Sequence, residues 1–456
     1  MRALYDSKTQ TMDDRGIKQL FSDETKYSTW LMFEAALAQA QAELGFIPQF
    51  AAEEIKQRAV IENIDFDEMK RIYQQIGHGF VPFLKVLVKA CSEQAGKYIH
   101  YGITTQNIQQ SSQLYMMKKV HHQFMLLLGE ILENLSNLAL KSKNMVMAGR
   151  THGRHAIPIT YGYKVSVWIS DFIDCYQRMQ ECEKRVFTIM MGGAVGAFNS
   201  MPAVGQAVQK RVAELVDMKA MEVPSRNIST HKLEYLSNLA LMATICHKIA
   251  EEVYSTTLEE IAEVSEGFTK GTVGSSTMPH KINPKLAKGI IANAQKLYSL
   301  PSVGMYSAVR PYEGDSSSYM LFDGLIDEAL QLTTEILLRT EELSRTLVPH
   351  EQKMRENVLI NKGLDNTEYI MMKMAEKLGK DQAHSLLYEE AIKTAADGED
   401  FYSNLIKNPI IAAEFSKDEI KQMLDPRSYL GLSVEIAEKE AKRGLTISQQ
   451  MKQHYM

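Results

Sequence analysis

Cysteine is scarce. Cys91, Cys175, Cys182 and Cys246 stand apart in 456 residues, and no two form a C-x-x-C pair. That excludes a zinc ribbon or dithiol redox motif and argues against a disulfide framework. Each lies in an apolar, helix-patterned stretch where a buried, unreactive thiol is expected. Proline is sparse too, with 12 residues gathered at a few places, so long stretches carry no helix breaker. No apolar run reaches the roughly 18 residues that cross a bilayer. The opening MRALYDSKTQTMDD has no apolar signal core, and a reduced, cytoplasmic protein is expected. No charge sign dominates: 51 basic and 56 acidic residues leave −5, too small and mixed to indicate nucleic acid or a membrane surface as partner.

What the chain does have is helix patterning. Hydrophobic residues make up 45%, enough for a sizeable core. Residues 24–44 place Trp30, Phe33, Leu37, Ala40 and Leu44 at three- and four-residue steps, the spacing of an amphipathic helix ending before Gly45. A long helix is predicted from Asn107 to about Leu140, through Ile108, Leu114, Met117, Val120, Phe124, Leu127, Ile131, Leu135 and Leu138, with Thr104 and Thr105 as capping residues. Further helices are predicted over 161–190, from Thr230 to Val264 through Leu258, after Pro284 as far as Leu300, and from Ser318 to Leu343. Helices of this length suit an all-α bundle packed over many turns. No strand-rich region stands out. Three helical domains are expected: residues 1–106, a central long-helix bundle over 107–348, and 349–456, where shorter helices and loops take over.

Polar residues gather in four places. His78 lies between two glycines in IGHGF. His100, Thr104 and Thr105 lie in YIHYGITTQN. Arg150, Thr151, His152 and His155 lie in AGRTHGRH. Ser275, Ser276, His280, Lys281 and Asn283 lie in GSSTMPHKINP. A lone histidine near a helix end is ordinarily structural, and a Thr-Thr pair before a helix is ordinarily a cap. His121 and His122, in mid-helix, are expected on a solvated face, and TQNIQQSS (105–112) is polar enough to be surface. The fourth cluster asks for more. Two hydroxyls, a lysine and an amide precede a helix start, and loop N–H groups, a helix N-terminus and a cation suit a carboxylate. A glycine-bounded loop carrying a serine can close over a substrate and place the hydroxyl for proton abstraction.

GSSTMPHKINP matches every fixed position of G-S-S-x-M-P-x-K-x-N-P and so resembles the signature loop, here residues 274–284, of the fumarase/aspartase superfamily. HYGITTQN is similar to the H-x-G-x-T-S region of that family, AGRTHGRHAIPITYG to its G-R-T-H-x-x-x-A-x-P-x-T-x-G region, and GGAVGAF to its glycine turn. The likeness spans essentially the whole chain, nearest the adenylosuccinate lyase and carboxymuconate cycloisomerase branch. It implies a homotetramer with a twenty-helix core, five long helices from each subunit, and active sites built from three subunits. The implied reaction removes a proton beside a carboxylate of a small dicarboxylate substrate and expels an amine or alkoxide from the next carbon, releasing fumarate with no metal or organic cofactor. By the same resemblance Ser275 is the general base, activated by its surroundings, with Ser276 open to the same role. His152 is the general acid, a group that exchanges protons near neutral pH. His78 and His100 match further active-site histidines, and Thr104, Thr105, Thr151, Lys281, Asn283 and the loop N–H groups hold carboxylate and stabilise the aci-carboxylate.

Some positions depart from the pattern. Asn107 replaces an aspartate, NISTHKLEY replaces Q-R-D-R-H-A-E-Y, and Ser225 lies near a substrate-binding glutamine. Lys288 stands where an acidic partner of the catalytic histidine is expected. Met320 replaces the arginine of a phosphate-gripping S-S-x-x-R, leaving Arg310, Tyr312 and Glu313 to recognise something else. The carboxylate end of the site matches; the nucleotide end does not. The expected activity is that of an adenylosuccinate-lyase-like enzyme acting on an N-substituted aspartate. Adenylosuccinate itself, cycloisomerisation of a carboxymuconate, and a non-catalytic scaffold are the alternatives.

Overall fold

The computed structural model describes residue 11, residues 13–267, Ser275, residues 277–278 and residues 280–456. Three long helices run the same way. They are α3 (Thr105–Ser142), α5 (Thr230–Thr256) and α8 (Ser316–Thr346). Between them run α4 (Tyr161–Val186), α6 (Lys285–Tyr298) and α7 (Leu300–Ala308), with α1 (Asp23–Glu43) and α2 (Val81–Ala90) before them and α9 (Ser433–Tyr455) closing the chain. The nine apolar positions of the α3 stripe are all buried, because their three- and four-residue spacing keeps them on the side facing α4, α8 and α9. Eight of them, from Leu114 to Leu138, form one core with Val165, Ile169, Tyr235, Leu239, Ile290, Ile326 and Ile336, and Ile108 joins the second core. A second core gathers Trp30, Phe33, Leu37, Phe80 and Phe83 with Val208 and Val212. A third lies within 370–424, around Met374, Phe401 and Leu405. The last helix, α9, packs along α3 and α4.

Local chemistry corrects several expectations. The helix expected over 230–264 ends at Thr256, and Leu258 is 52% exposed. Beyond it the chain turns so that buried Glu263 reaches Arg150, and residues 264–265 pair with 348–349. The helix after Pro284 breaks at Ser299, where Pro301 opens α7. AGRTHG is mostly strand: β1 (Val146–Thr151) pairs antiparallel with β2 (Arg154–Thr160). The two-residue link, His152 at φ +51° and Gly153 at φ +73°, has the left-handed backbone that suits a hairpin turn.

His121 is not on a solvated face. It is fully buried, its Nε2 3.0 Å from Glu183 Oε1 and its Nδ1 3.4 Å from the Tyr235 hydroxyl, and burial pushes its imidazole pKa down. Nor is 105–112 simple surface. Asn107, Ile108, Gln110, Ser111 and Ser112 are buried, and Ser111 accepts the Met190 N–H at 3.1 Å. Cys175, Cys182 and Cys246 are buried, Cys91 is half-buried, and all four are free. Among the described residues no helix is long and apolar enough to cross a membrane.

The bundle has two ends. At the first, α3, α5 and α8 begin, tied by Lys232 Nζ donating to Gln110 (3.1 Å) and Gln113 donating to Asp323 (2.5 Å). At the second, these helices end and α4 and α6 begin, tied by Arg150 to Glu263 and by the Tyr161 N–H to the Met145 carbonyl (2.8 Å).

Candidate active site

At the first end, His78 is exposed and its Nδ1 accepts the N–H groups of Phe80 (3.1 Å) and Val81 (3.2 Å), which open α2. In the neutral ring the proton therefore sits on Nε2. His100 has φ +57° and is held by Glu34, a carboxylate 1% exposed. One Glu34 oxygen accepts the His100 N–H (3.1 Å) and the other lies 2.7 Å from Nδ1, which leaves Nε2 without a partner among the described residues. Glu34 was missed in the sequence, although a single carboxylate inside the apolar run LMFEAAL was the available signal.

Thr104 and Thr105 are half-buried at the start of α3. Asn107, in the aspartate's place, accepts the Thr104 N–H (3.1 Å) and the Gly193 N–H (3.0 Å), so its amide oxygen staples the glycine turn to the helix start. That turn needs its glycines: at Gly196 (φ +88°) a Cβ would stand 2.8 Å from the Pro224 carbonyl. Arg310 is buried and donates to the Arg226 carbonyl (2.7 Å), while Met320 is 72% exposed.

At the second end, Thr151 and His152 are exposed at the hairpin tip. Arg150, beside them, is fixed by two hydrogen bonds to Glu263 (2.9 and 2.6 Å). Ser275 is half-buried. Its Oγ accepts the N–H groups of Met278 (3.1 Å) and Thr277 (3.4 Å). Two N–H donors on one oxygen favour negative charge there. Ser276 lies outside the described residues. Lys281 is exposed, Asn283 half-buried and Lys288 exposed.

The start of α6 differs from expectation. Glu266 accepts the N–H groups of Leu286 (3.0 Å) and Ala287 (2.7 Å), so this helix N-terminus already holds a carboxylate of its own chain. Burial raises the pKa of Glu266, against the pull of those hydrogen bonds.

Within one chain, His78, His100, Thr104, Thr105 and Arg310 lie at the first end, and Thr151, His152, Ser275, Lys281 and Asn283 at the second. The 38 residues of α3 between them span about 57 Å at ~1.5 Å per residue.

Histidine, threonine, serine and lysine side chains thus lie at the two ends of a helical bundle. Residues 8–296 match the family described as Lyase, and residues 363–439 match Adenylosuccinate lyase C-terminus. The chain belongs to this lyase family, within the fumarase/aspartase superfamily. It is similar to N-acetyl-S-(2-succino)cysteine lyase of Enterococcus italicus, 31% identical over 416 residues and 91% of each chain. It is similar to adenylosuccinate lyase of Methanocaldococcus jannaschii, 32% identical over 430 residues and 93% of each chain. Its fold is similar to that of 3-carboxy-cis,cis-muconate lactonizing enzyme from Pseudomonas putida, with a TM-score of 0.88 and 26% identity over 99% of this chain and 100% of the other.

Proposed function

We propose that the protein removes a proton beside a carboxylate of a succinyl substrate and expels a heteroatom from the neighbouring carbon, releasing fumarate. The Ser275 oxygen, held by two backbone N–H groups, carries this reading. Ser275 takes the proton, and Ser276 is the alternative base. The C–H electron pair becomes the new double bond, the carbon–heteroatom pair leaves with the heteroatom, and His152 protonates it. Lys281, Asn283, Thr104, Thr105 and Thr151 hold the carboxylates and the charge that develops on them, and Arg310 binds the departing part of the substrate. His78 and His100 complete the site, His100 aimed by Glu34. No metal or cofactor enters the scheme. The three-domain division stands as proposed from the sequence, in a cytoplasmic homotetramer whose sites combine the two bundle ends of different subunits. The length of α3 supports that sharing, because one chain holds its two sets of residues far apart.

The leaving atom is first read as nitrogen, from an N-substituted aspartate. Sulfur is the second reading, favoured by the likeness to a lyase whose name places the succinyl group on a cysteine sulfur and by exposed Met320 where a phosphate-binding arginine was expected. The test is fumarate release, followed by ultraviolet absorbance, from adenylosuccinate, N-substituted aspartates, succinyl thioethers and malate. Turnover of a succinyl compound that Ser275→Ala abolishes and His152→Gln slows by roughly 10²-fold is expected. Undiminished turnover by Ser275→Ala with Ser276 intact would move the base to Ser276. No fumarate from any of them would overturn the reading.

A further inference from the structure

Basic side chains converge where α5 begins. Arg310 is 7% exposed; Nη1 donates to the Arg226 carbonyl, Nε lies 3.4 Å from the Ser307 carbonyl, and Nη2 has no partner among the described residues. Among the described residues His231, 8% exposed, leaves Nε2 without a partner, and Arg226 buries its Nε in the same way. Lys232, 1% exposed, donates to Gln110 Oε1 and stands 5.4 and 5.3 Å from the ring centres of Tyr319 and Phe322. The groups feel one another: Lys232 and Arg310 both act on His231, and Arg226 acts on Arg310. The carboxylates within electrostatic reach are engaged elsewhere. Asp323 accepts from Gln113, and Asp315 accepts from Ser317 and Ser318 at the start of α8.

The first turn of α5 has no acidic residue and no side-chain cap, so its positive end adds to the cluster. Gly314 keeps Arg226 in place, since a Cβ there would fall 2.7 Å from its guanidinium. Buried N–H donors without acceptors, beside like charge, are costly, and a bound anion relieves both terms.

We propose that Arg226, His231 and Arg310 form a second anion site of the substrate and hold a carboxylate carried by the leaving group. The inference rests on the lyase reading above and narrows its substrate class to succinyl compounds whose departing amine or thiol is itself an acid. Burial, and then Lys232 and Arg310, push the His231 imidazole down to about 3, so an anion there meets a neutral ring near the Arg310 guanidinium. The three open nitrogens suit the two oxygens of a carboxylate, which together offer about four lone-pair sites. The site also lies within reach of the other end of a small substrate. Gln110, the partner of Lys232, is five residues beyond Thr105, about 8 Å along the helix.

The experiment compares a succinyl amine or thioether whose leaving group carries a carboxylate with the same compound in which that carboxylate is a primary amide. Adenylosuccinate supplies the phosphate arm. The wild-type enzyme is expected to favour the acid over the amide by about tenfold to a hundredfold in kcat/KM, the size of one hydrogen bond to a charged group. Arg226→Gln and His231→Gln are expected to bring that ratio towards one. Equal turnover of acid and amide by wild type would overturn the site while leaving the lyase reading intact. A strong preference for adenylosuccinate that Arg226→Gln removes would overturn carboxylate in favour of phosphate. If no compound turns over, the lyase reading fails and binding decides the site. An N-acetylated amino acid, but not its amide, should then raise the melting temperature of wild type and not of Arg226→Gln. The absence of that difference would overturn the proposal.

Discussion

Two inactive variants of this protein should restore one another. His100 and Thr104 stand at the first end of α3, and His152 lies beyond its second end, about 57 Å away along the helix. A hairpin strand folded straight back over α3 would recover at most about 20 Å, from six residues at ~3.4 Å each. Over 35 Å would remain, far beyond the length of a succinyl substrate, so a site using both ends must draw them from different subunits. Suppose His152→Gln and His100→Ala chains are each purified inactive, then unfolded together in equal amounts and refolded. Each site then takes its first end from the His152→Gln chain with a chance of one half, and its second end from the His100→Ala chain with a chance of one half. About a quarter of the sites in a randomly mixed symmetric oligomer carry both histidines. The expected outcome is recovery of about 25% of wild-type fumarate release, with each variant refolded alone remaining inactive. Recovery near zero, with mixed oligomers confirmed by mass, would refute the reasoning. So would full wild-type activity in an isolated monomer.

Glu34→Ala should destabilise the fold and slow turnover together, because it strips the His100 N–H and Nδ1 of their acceptor. The loss of a buried acceptor is expected to cost about 3 kcal/mol, read as a shift in the denaturation midpoint. An unchanged midpoint would show that Glu34 does not hold His100. The second prediction concerns acid. Burial, reinforced by His121 and Lys118, pushes the His122 imidazole down to about 4, from an ordinary value near ~6.5. The folded state therefore binds the proton less readily than the unfolded chain. The contribution of His122 is fully present above about pH 6.5 and is lost as pH falls towards about 4. His122→Gln should flatten that part of the melting temperature against pH, and an unaltered acid limb would remove His122 as its source.

The long helices were legible because their signal is local. Ile108 through Leu138 repeat at helix spacing, and burial of that whole stripe requires no knowledge of its partners. His121 was not legible. Its acceptor Glu183 comes from α4, and Tyr455, which also hydrogen-bonds Glu183, comes from the last helix. The polar run at 105–112 misled for the same reason. Asn107, Gln110 and Ser111 are buried because Gly193, Lys232 and Met190 supply their partners from distant segments. The hairpin at AGRTHG was hidden because no strand-rich region stands out there, and β1 is completed only by its pairing with β2.

The candidate site divides along the same line. Ser275 binds N–H groups two and three residues ahead, so a local motif was enough to mark it. The start of α6 could not be judged locally, since Glu266, twenty residues before Leu286, claims its N–H groups. Backbone conformation adds a further argument. His100 and His152 both hold positive φ, at +57° and +51°, a conformation that costs a residue with a Cβ roughly 1–2 kcal/mol. For His152 the exposed hairpin tip returns no core packing to its own chain. A glycine would satisfy that turn more readily, so the local fold does not by itself account for the histidine. A side chain held in strain at an exposed tip, beyond the far end of a 38-residue helix from His100, makes physical sense where a neighbouring subunit brings its own first end to meet it.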